Sequence, residues 1–223
     1  AYASFENEAA LRSFEAALAS KPDDFEALWK TARSHSDFGE ELKEKKRKVR
    51  HFQIADSLAN RCVELYPEQV ESHFVLAIAL GRLALFSGGK RKVELSREIH
   101  TKAKLMIEMD PEFDAGYHIL GRFYYQVATL NWFLKGAAKV LFGGLPQGAS
   151  LESAEENFLK AIQYNPQWVS HRLELARTLI KMKRYQEAAE QLNLIETLPK
   201  IYWEDDRHKA EAADMLLKIR KKI

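Results

Sequence analysis

Cysteine is nearly absent from this 223-residue chain. The one thiol, Cys62, excludes an internal disulfide and leaves the redox compartment open. Proline and glycine are also scarce, at six and ten residues. With hydrophobic residues at 46% and charged residues at 30%, that is a mostly helical composition. No run of 18 apolar residues occurs. The longest candidate, 127–142, is broken by Asn131, Lys135 and Lys139, so it does not read as a transmembrane helix. A net charge of only +2 gives no bulk electrostatic case for nucleic acid or membrane. Catalytic signatures are missing as well. The seven histidines are scattered, with no HExxH pair, so a zinc site lacks ligands. Neither GxSxG nor a Walker-type glycine loop occurs, and Gly88-Gly89-Lys90 reads as a turn between helices. Asp110 before Pro111 and the Asp205-Asp206 pair read as helix punctuation. The expectation is a protein that is not an enzyme and carries no cofactor and no metal.

What the chain does have is an internal repeat marked by prolines. Pro22, Pro67, Pro111, Pro166 and Pro199 each follow an amphipathic helix, as ALASKP, VELYP, IEMDP, AIQYNP and IETLP. Their spacings are 45, 44, 55 and 33 residues. The last is close to one tetratricopeptide repeat of about 34 residues, and the others exceed it by roughly 11, 10 and 21. Reading back from each proline gives the second helix of a pair. Its inner positions are Ala10, Phe14 and Ala17; Ala55, Ala59 and Cys62; Ile99, Ala103 and Met106; Ala154, Phe158 and Ala161; and Ala188, Leu192 and Ile195. Reading forward gives the first helix of the next pair, through Leu28, Thr31, Ala32 and His35; His73, Leu76, Ala77 and Leu80; Tyr117, Leu120, Gly121 and Tyr124; and Arg172, Leu175, Ala176 and Leu179. A small residue beside a leucine lets neighbouring helices approach closely, as in the tetratricopeptide pattern.

The surplus residues fall between the two helices of a pair, where an ordinary repeat turns tightly. They are EELKEKKRKVR, SGGKRKVELS and the apolar stretch inside 117–146. All three are expected on one edge of the stack. After Pro199, residues 202–223 read as a charged capping helix with Ala210, Ala213, Leu216, Leu217 and Ile223 inward. At the other end the chain starts in a helix of the second type. Ala1-Tyr2-Ala3 matches the small-residue pattern at a signal-peptidase site, which leaves both a cytoplasmic and an exported location open. The expected fold is therefore all-α: a right-handed tetratricopeptide-like solenoid of about five helix pairs, with inserts and a C-terminal cap, spanning 1–223 as one domain.

The segments GRLALFSGGKRKVELSREI (81–99), GRFYYQVATLNW (121–132), LFGGLP (141–146) and SAEENFLKAIQYNP (153–166) resemble the regulator of microtubule dynamics family over about residues 70–200. The resemblance implies a similar all-helical solenoid. Animal members of that family are associated with microtubules and with mitochondrial and contact-site membranes, and related chains occur in bacteria.

In such folds the concave groove is lined by outward positions of the first helices. By register these are Trp29, Arg33, Phe74, Ile78, Arg82, His118, Arg122, Tyr125, Gln126, Leu173, Arg177 and Lys181. Arg33, Arg122 and Arg177 share one register, and stacked guanidinium groups suit a carboxylate- or phosphate-bearing partner. Pairing of each arginine with a nearby glutamate, such as Glu26 or Glu174, explains the same pattern without a ligand. The apolar segment 131–142, entered through Trp132 and Phe133, has three possible homes: the protein's own core, a cavity for an acyl chain or apolar peptide, or a membrane or partner surface. The basic runs Lys43–Arg50 and Lys90-Arg91-Lys92 share the insert edge. They suit an acidic protein tail or anionic lipid, or else are solvated. With no interleaved aromatics, nucleic acid is the poorer fit. The leading expectation is a scaffold binding a protein or peptide partner, an acidic one if the arginines are its site. The alternative is a carrier of lipid or another apolar ligand.

Overall fold

A computed structural model describes residues 6–130 and 148–223. Within them the chain is all-α, with ten α-helices and no strand. It divides into two compact units, residues 1–111 and 112–223. The first holds α1 (Asn7–Ser20), α2 (Phe25–Glu41), α3 (Lys45–Leu65), α4 (Val70–Ala84) and α5 (Gly89–Met109). The second holds α6 (Asp114–Thr129), α7 (Leu151–Tyr164), α8 (Val169–Lys181), α9 (Tyr185–Thr197) and α10 (Asp205–Ile219), closed by a 3-10 turn at Arg220–Lys222.

The prolines act through the residue in front of them. Proline removes an N–H, and its ring pushes the preceding residue out of the α region. Lys21, Tyr66, Asp110 and Asn165 adopt nearly one conformation, with φ between −133° and −140° and ψ between 59° and 99°. Each still gives its own N–H to the carbonyl four residues back, at 2.8–3.0 Å. The carbonyls of Lys21, Tyr66 and Asn165 then accept from the residue that opens the next helix, Asp24, Gln69 and Trp168. The fifth end, Leu198-Pro199, departs from the set with φ −71° and ψ 147°.

Inside unit 1, α2 packs on α1, α3 and α4, and α4 packs on α3 and α5. The inner positions read from the sequence are the buried ones: Leu28, Thr31, Ala32 and His35 on α2, then Ala55, Ala59 and Cys62 on α3, then His73, Leu76, Ala77 and Leu80 on α4. On α1 only Ala10 of its expected set is buried, and Ala17 is exposed. Unit 2 stacks α6, α7, α8 and α9 in succession, with α10 against both α8 and α9. Its core joins Ala154 and Phe158 to Leu175, Ala176 and Leu179, then to Ala188, Leu192 and Ile195.

Both units contain a close helix contact made by a glycine. A Cβ at Gly121 would lie 2.8 Å from the Phe158 ring, and one at Gly39 would lie 2.7 Å from the Phe52 ring. Only a residue without a side chain lets these helices meet.

The first two inserts fall at the bends between paired helices, as read from the sequence. They lengthen helices: α3 and α5 run to 21 residues each and α2 to 17, against 13 for α8 and α9, the pair without an insert. Lysine- and glutamate-rich segments have good helix propensity, so the surplus is absorbed as extra turns. The uninserted pair turns tightly instead, through Lys183 at φ 64°. The cap helix, by contrast, is rotated from its expected phase. Ala212 and Ile219 are buried, with Met215 and Leu216 packed beside them. Ala210 and Ala213 are exposed, as are Leu217 and Ile223.

Candidate functional site

In unit 2 the first helices and the cap helix converge on one buried carboxylate. Glu174 of α8 is 6% exposed. Its Oε1 lies 3.2 Å from Nη1 of Arg177 and 3.9 Å from Nε of Arg122 on α6. Arg177 reaches on to Glu211 of α10. Tyr125 stands in the same cluster. Burial pushes its hydroxyl pKa up, and the Glu174 charge adds to this while Arg177 opposes it. His208 of α10 is half-buried there. Desolvation holds its imidazole below the ordinary value, and Arg207 adds to that against the carboxylates of Asp205, Glu174 and Glu211. A buried carboxylate of this kind needs a cation partner, and Arg177 is the nearer one.

Behind this face lies a sealed chain of polar groups. His171 is fully buried, with Nε2 2.8 Å from Oδ2 of Asp114 and Nδ1 2.9 Å from Nδ1 of His118. Asn165 also donates to Asp114, at 3.1 Å. With Nε2–H given to the carboxylate, His171 presents Nδ1 as acceptor and His118 donates Nδ1–H. The Trp168 ring stacks on His118 with centroids 5.2 Å apart and planes at 19°. Desolvation drives His118 well below its ordinary pKa, and His171, Arg122 and His208 add to this. His171 is also lowered by burial, although Asp114 opposes it.

Unit 1 closes its arginines differently. Nε of Arg33 lies 2.9 and 2.8 Å from the two oxygens of Asp37, and its guanidinium lies over the Phe74 ring at 5.3 Å. Arg82 pairs with Glu40, both largely buried. Lys30 sits 5.4 Å from the centroid of the half-buried Trp29 ring. A second histidine pair occurs here, Nδ1 of His35 to Nδ1 of His51 at 2.9 Å, with Oε1 of Glu15 3.4 Å from Nε2 of His35. Burial, then the neighbouring His51, lowers His35 to about 4.

Of the residues read from the sequence, the structure brings Arg122, Tyr125 and Arg177 together. Lys181 is exposed at the end of the same helix α8. Gln126 is exposed on α6, Ile78 is half-buried on α4, and Leu173 is buried in α8. His118 is not on an open face: it turns into the junction of α6 with α8, because His171 and Trp168 satisfy and cover it. Trp132, Phe133 and the rest of 131–142 lie outside the described residues. Sequence reasoning missed Glu211 and His208, since a cap helix set one residue out of phase points these positions elsewhere. No group of three or more His, Cys, Asp or Glu able to hold a metal occurs among the described residues. None of the described helices is long and apolar enough to cross a membrane.

Comparison with known proteins gives the same frame. The model of the family described as regulator of microtubule dynamics protein 1-3 matches residues 1–220. The chain is 29% identical over 189 residues to regulator of microtubule dynamics protein 3 of Rattus norvegicus, which covers 84% of this chain and 40% of that protein. It is 29% identical over 197 residues to regulator of microtubule dynamics protein 1 of Bos taurus, covering 87% and 62%. The chain thus spans about half the length of the curated relatives it matches. Among solved structures, a thermophilic tetratricopeptide protein of Thermus thermophilus superimposes with a TM-score of 0.72 at 22% identity, covering 97% of this chain and 93% of that one. That likeness shows the tetratricopeptide-like α-solenoid fold.

Proposed function

The chain belongs to the regulator of microtubule dynamics family, and from that membership we propose that it is a non-enzymatic interaction scaffold that holds an acidic partner segment against the Arg122 face of unit 2. The observation that carries the reading is the sharing of Glu174. Arg177 holds that carboxylate at 3.2 Å, while Arg122 stands off at 3.9 Å with its side chain 47% exposed. A guanidinium so placed leaves its second donor edge turned to solvent, where it grips an incoming carboxylate in the bidentate manner. Tyr125 supplies a neighbouring hydroxyl, and Lys181 adds positive charge further along α8. The reactions an enzyme would need find no support in this cluster. Glu174 is held by Arg177, so its carboxylate is not a free general base.

The test is fluorescence anisotropy with a panel of labelled glutamate-rich peptides. Arg122→Glu is expected to abolish capture while the helical circular dichroism is unchanged, and Arg122→Lys to retain part of it. Undiminished capture by Arg122→Glu overturns the assignment. The carrier reading rests on residues 131–142, and lipid co-purifying in native mass spectrometry would favour it over the scaffold.

A further inference from the structure

A marked charge asymmetry lies in unit 1, on residues that take no part in the Glu174 cluster. The bend between α2 and α3 and the bend between α4 and α5 come together at one edge. Nζ of Lys45 lies 5.8 Å from the centroid of the Phe86 ring, the Phe52 and Phe86 rings are 5.9 Å apart, and the Arg91 charge reaches Asp56 of α3. Residues 40–50 and 82–94 carry ten cations against four carboxylates, a local balance of +6 on a chain whose total is +2. The rest of the protein is therefore net negative, and the positive charge is concentrated here.

Stability does not explain the placement. Lys45, Lys46, Arg47 and Lys48 occupy the first turn of α3, and Lys90, Arg91 and Lys92 the first turn of α5, with no acidic residue in either turn. The N-terminal end of a helix carries a partial positive charge, so cations there are unfavourable for the fold. Local neutralisation is partial, and Arg82 is paired with Glu40 within the edge. Glu94 pairs with Lys90 at 4.0 Å and Arg91 at 3.4 Å, and Lys48 donates to the Glu40 carbonyl at 2.8 Å. Lys43, Lys46, Arg47, Arg50 and Lys92 are exposed. At the apex of the α4–α5 bend Leu85 is 66% exposed, next to the half-buried Phe86.

We propose that this edge docks on the surface of an anionic lipid bilayer, with the cations over the headgroups and Leu85 entering the interface. Charge complementarity names an anionic partner, and the apolar apex within the cationic rim selects the bilayer. An acidic peptide or a nucleic acid uses the cations but has no use for a protruding leucine, whereas a bilayer offers both charge and an apolar layer beneath it. The rim also lacks the interleaved aromatic platforms on which single-stranded nucleic acid stacks.

The experiment is vesicle co-sedimentation of the full chain with phosphatidylcholine vesicles containing or lacking about 30% phosphatidylserine, at about 0.1 M salt, where surface charge remains only partly screened. The chain is expected to bind the anionic vesicles alone. Each basic residue near such a surface is worth about fivefold in binding, so Lys46→Glu with Lys92→Glu is expected to lower it by roughly 25-fold or more. These changes put acidic residues at helix N-termini, where they favour the helix, so loss of binding cannot be ascribed to unfolding. Leu85→Ser is expected to weaken vesicle binding severalfold while leaving retention on a polyphosphate column unchanged. Arg122→Glu, in the other unit, is expected to leave vesicle binding intact, which separates this proposal from the peptide site. Equal binding to neutral vesicles, or full binding by the double reversal, overturns the proposal. So does Leu85→Ser without effect on vesicles, which would assign the edge to an acidic polypeptide or a nucleic acid instead.

Discussion

The two units solve the same packing problem and diverge at their histidine pairs. Each sets a glycine of a first helix against a phenylalanine of the second, Gly39 on Phe52 and Gly121 on Phe158. Each also joins two imidazoles through Nδ1 atoms 2.9 Å apart, with a carboxylate beyond one of them. In unit 2 the carboxylate is Asp114, bonded at 2.8 Å to a fully buried His171 beneath Trp168. In unit 1 it is Glu15, half-exposed and 3.4 Å away, and His51 itself is partly open to solvent. The lesson is that a pair of histidines does not define a site. The third partner and the lid decide whether it is a locked element of the core or a group that solvent can reach.

The comparison is broken most severely by removing its centre. His171→Ala is expected to destabilise unit 2 by about 3–5 kcal/mol, since it opens a cavity and leaves His118 and one bond of Asp114 unsatisfied. His51→Ala should cost about 1 kcal/mol, because solvent replaces what it loses. Urea unfolding followed by circular dichroism measures both, and equal losses would erase the distinction.

Next in size is the response to acid. The unfolded chain protonates histidine near 6.5, whereas folded His35 resists to about 4. Unfolding is therefore linked to proton uptake. The stability from His35 is complete above pH 6.5 and falls as pH drops toward 4, by roughly 3 kcal/mol. His118, His171 and His208 shift in the same direction. The melting temperature should accordingly fall between pH 7 and 5, and a flat profile would show that these imidazoles are not desolvated.

Gly121→Leu comes third, with overpacking against Phe158 expected to cost ~1–3 kcal/mol, and Gly39→Leu should match it because the approach is as close. The smallest effect runs the other way. Lys183→Gly relieves a left-handed backbone at the tight α8–α9 turn and should stabilise unit 2 by about 0.5–1 kcal/mol in the same unfolding assay.

Much of this architecture was legible in the chain because its periodicity is local. Leu28, Thr31, Ala32 and His35 fall on one face by spacing alone, and all four are buried. Lys21-Pro22, Tyr66-Pro67, Asp110-Pro111 and Asn165-Pro166 announce the repeat ends because proline dictates the conformation before it. What the sequence concealed depends on distant partners. The burial of His118 is decided by His171, 53 residues further on. The turns of α3 carry charge rather than an apolar stripe, so their helicity was visible in propensity but not in periodicity. In the cap helix, Ala210, Ala212, Ala213, Leu216 and Leu217 offer two plausible apolar stripes, and only packing on α8 and α9 chooses between them. Arg122 and Arg177 were recognised together, but Glu211 enters the cluster from that rotated helix.

The lone thiol carries one more consequence. Cys62 is fully buried, its Sγ lies 3.2 Å from the Ser72 hydroxyl, and burial raises its pKa. A group so shielded and so weakly ionised is slow toward alkylating reagents. The folded protein is consequently a silent background for labelling chemistry. A cysteine introduced at Leu85 or Arg122 would react first, carrying a dye or spin probe to one chosen face of the molecule.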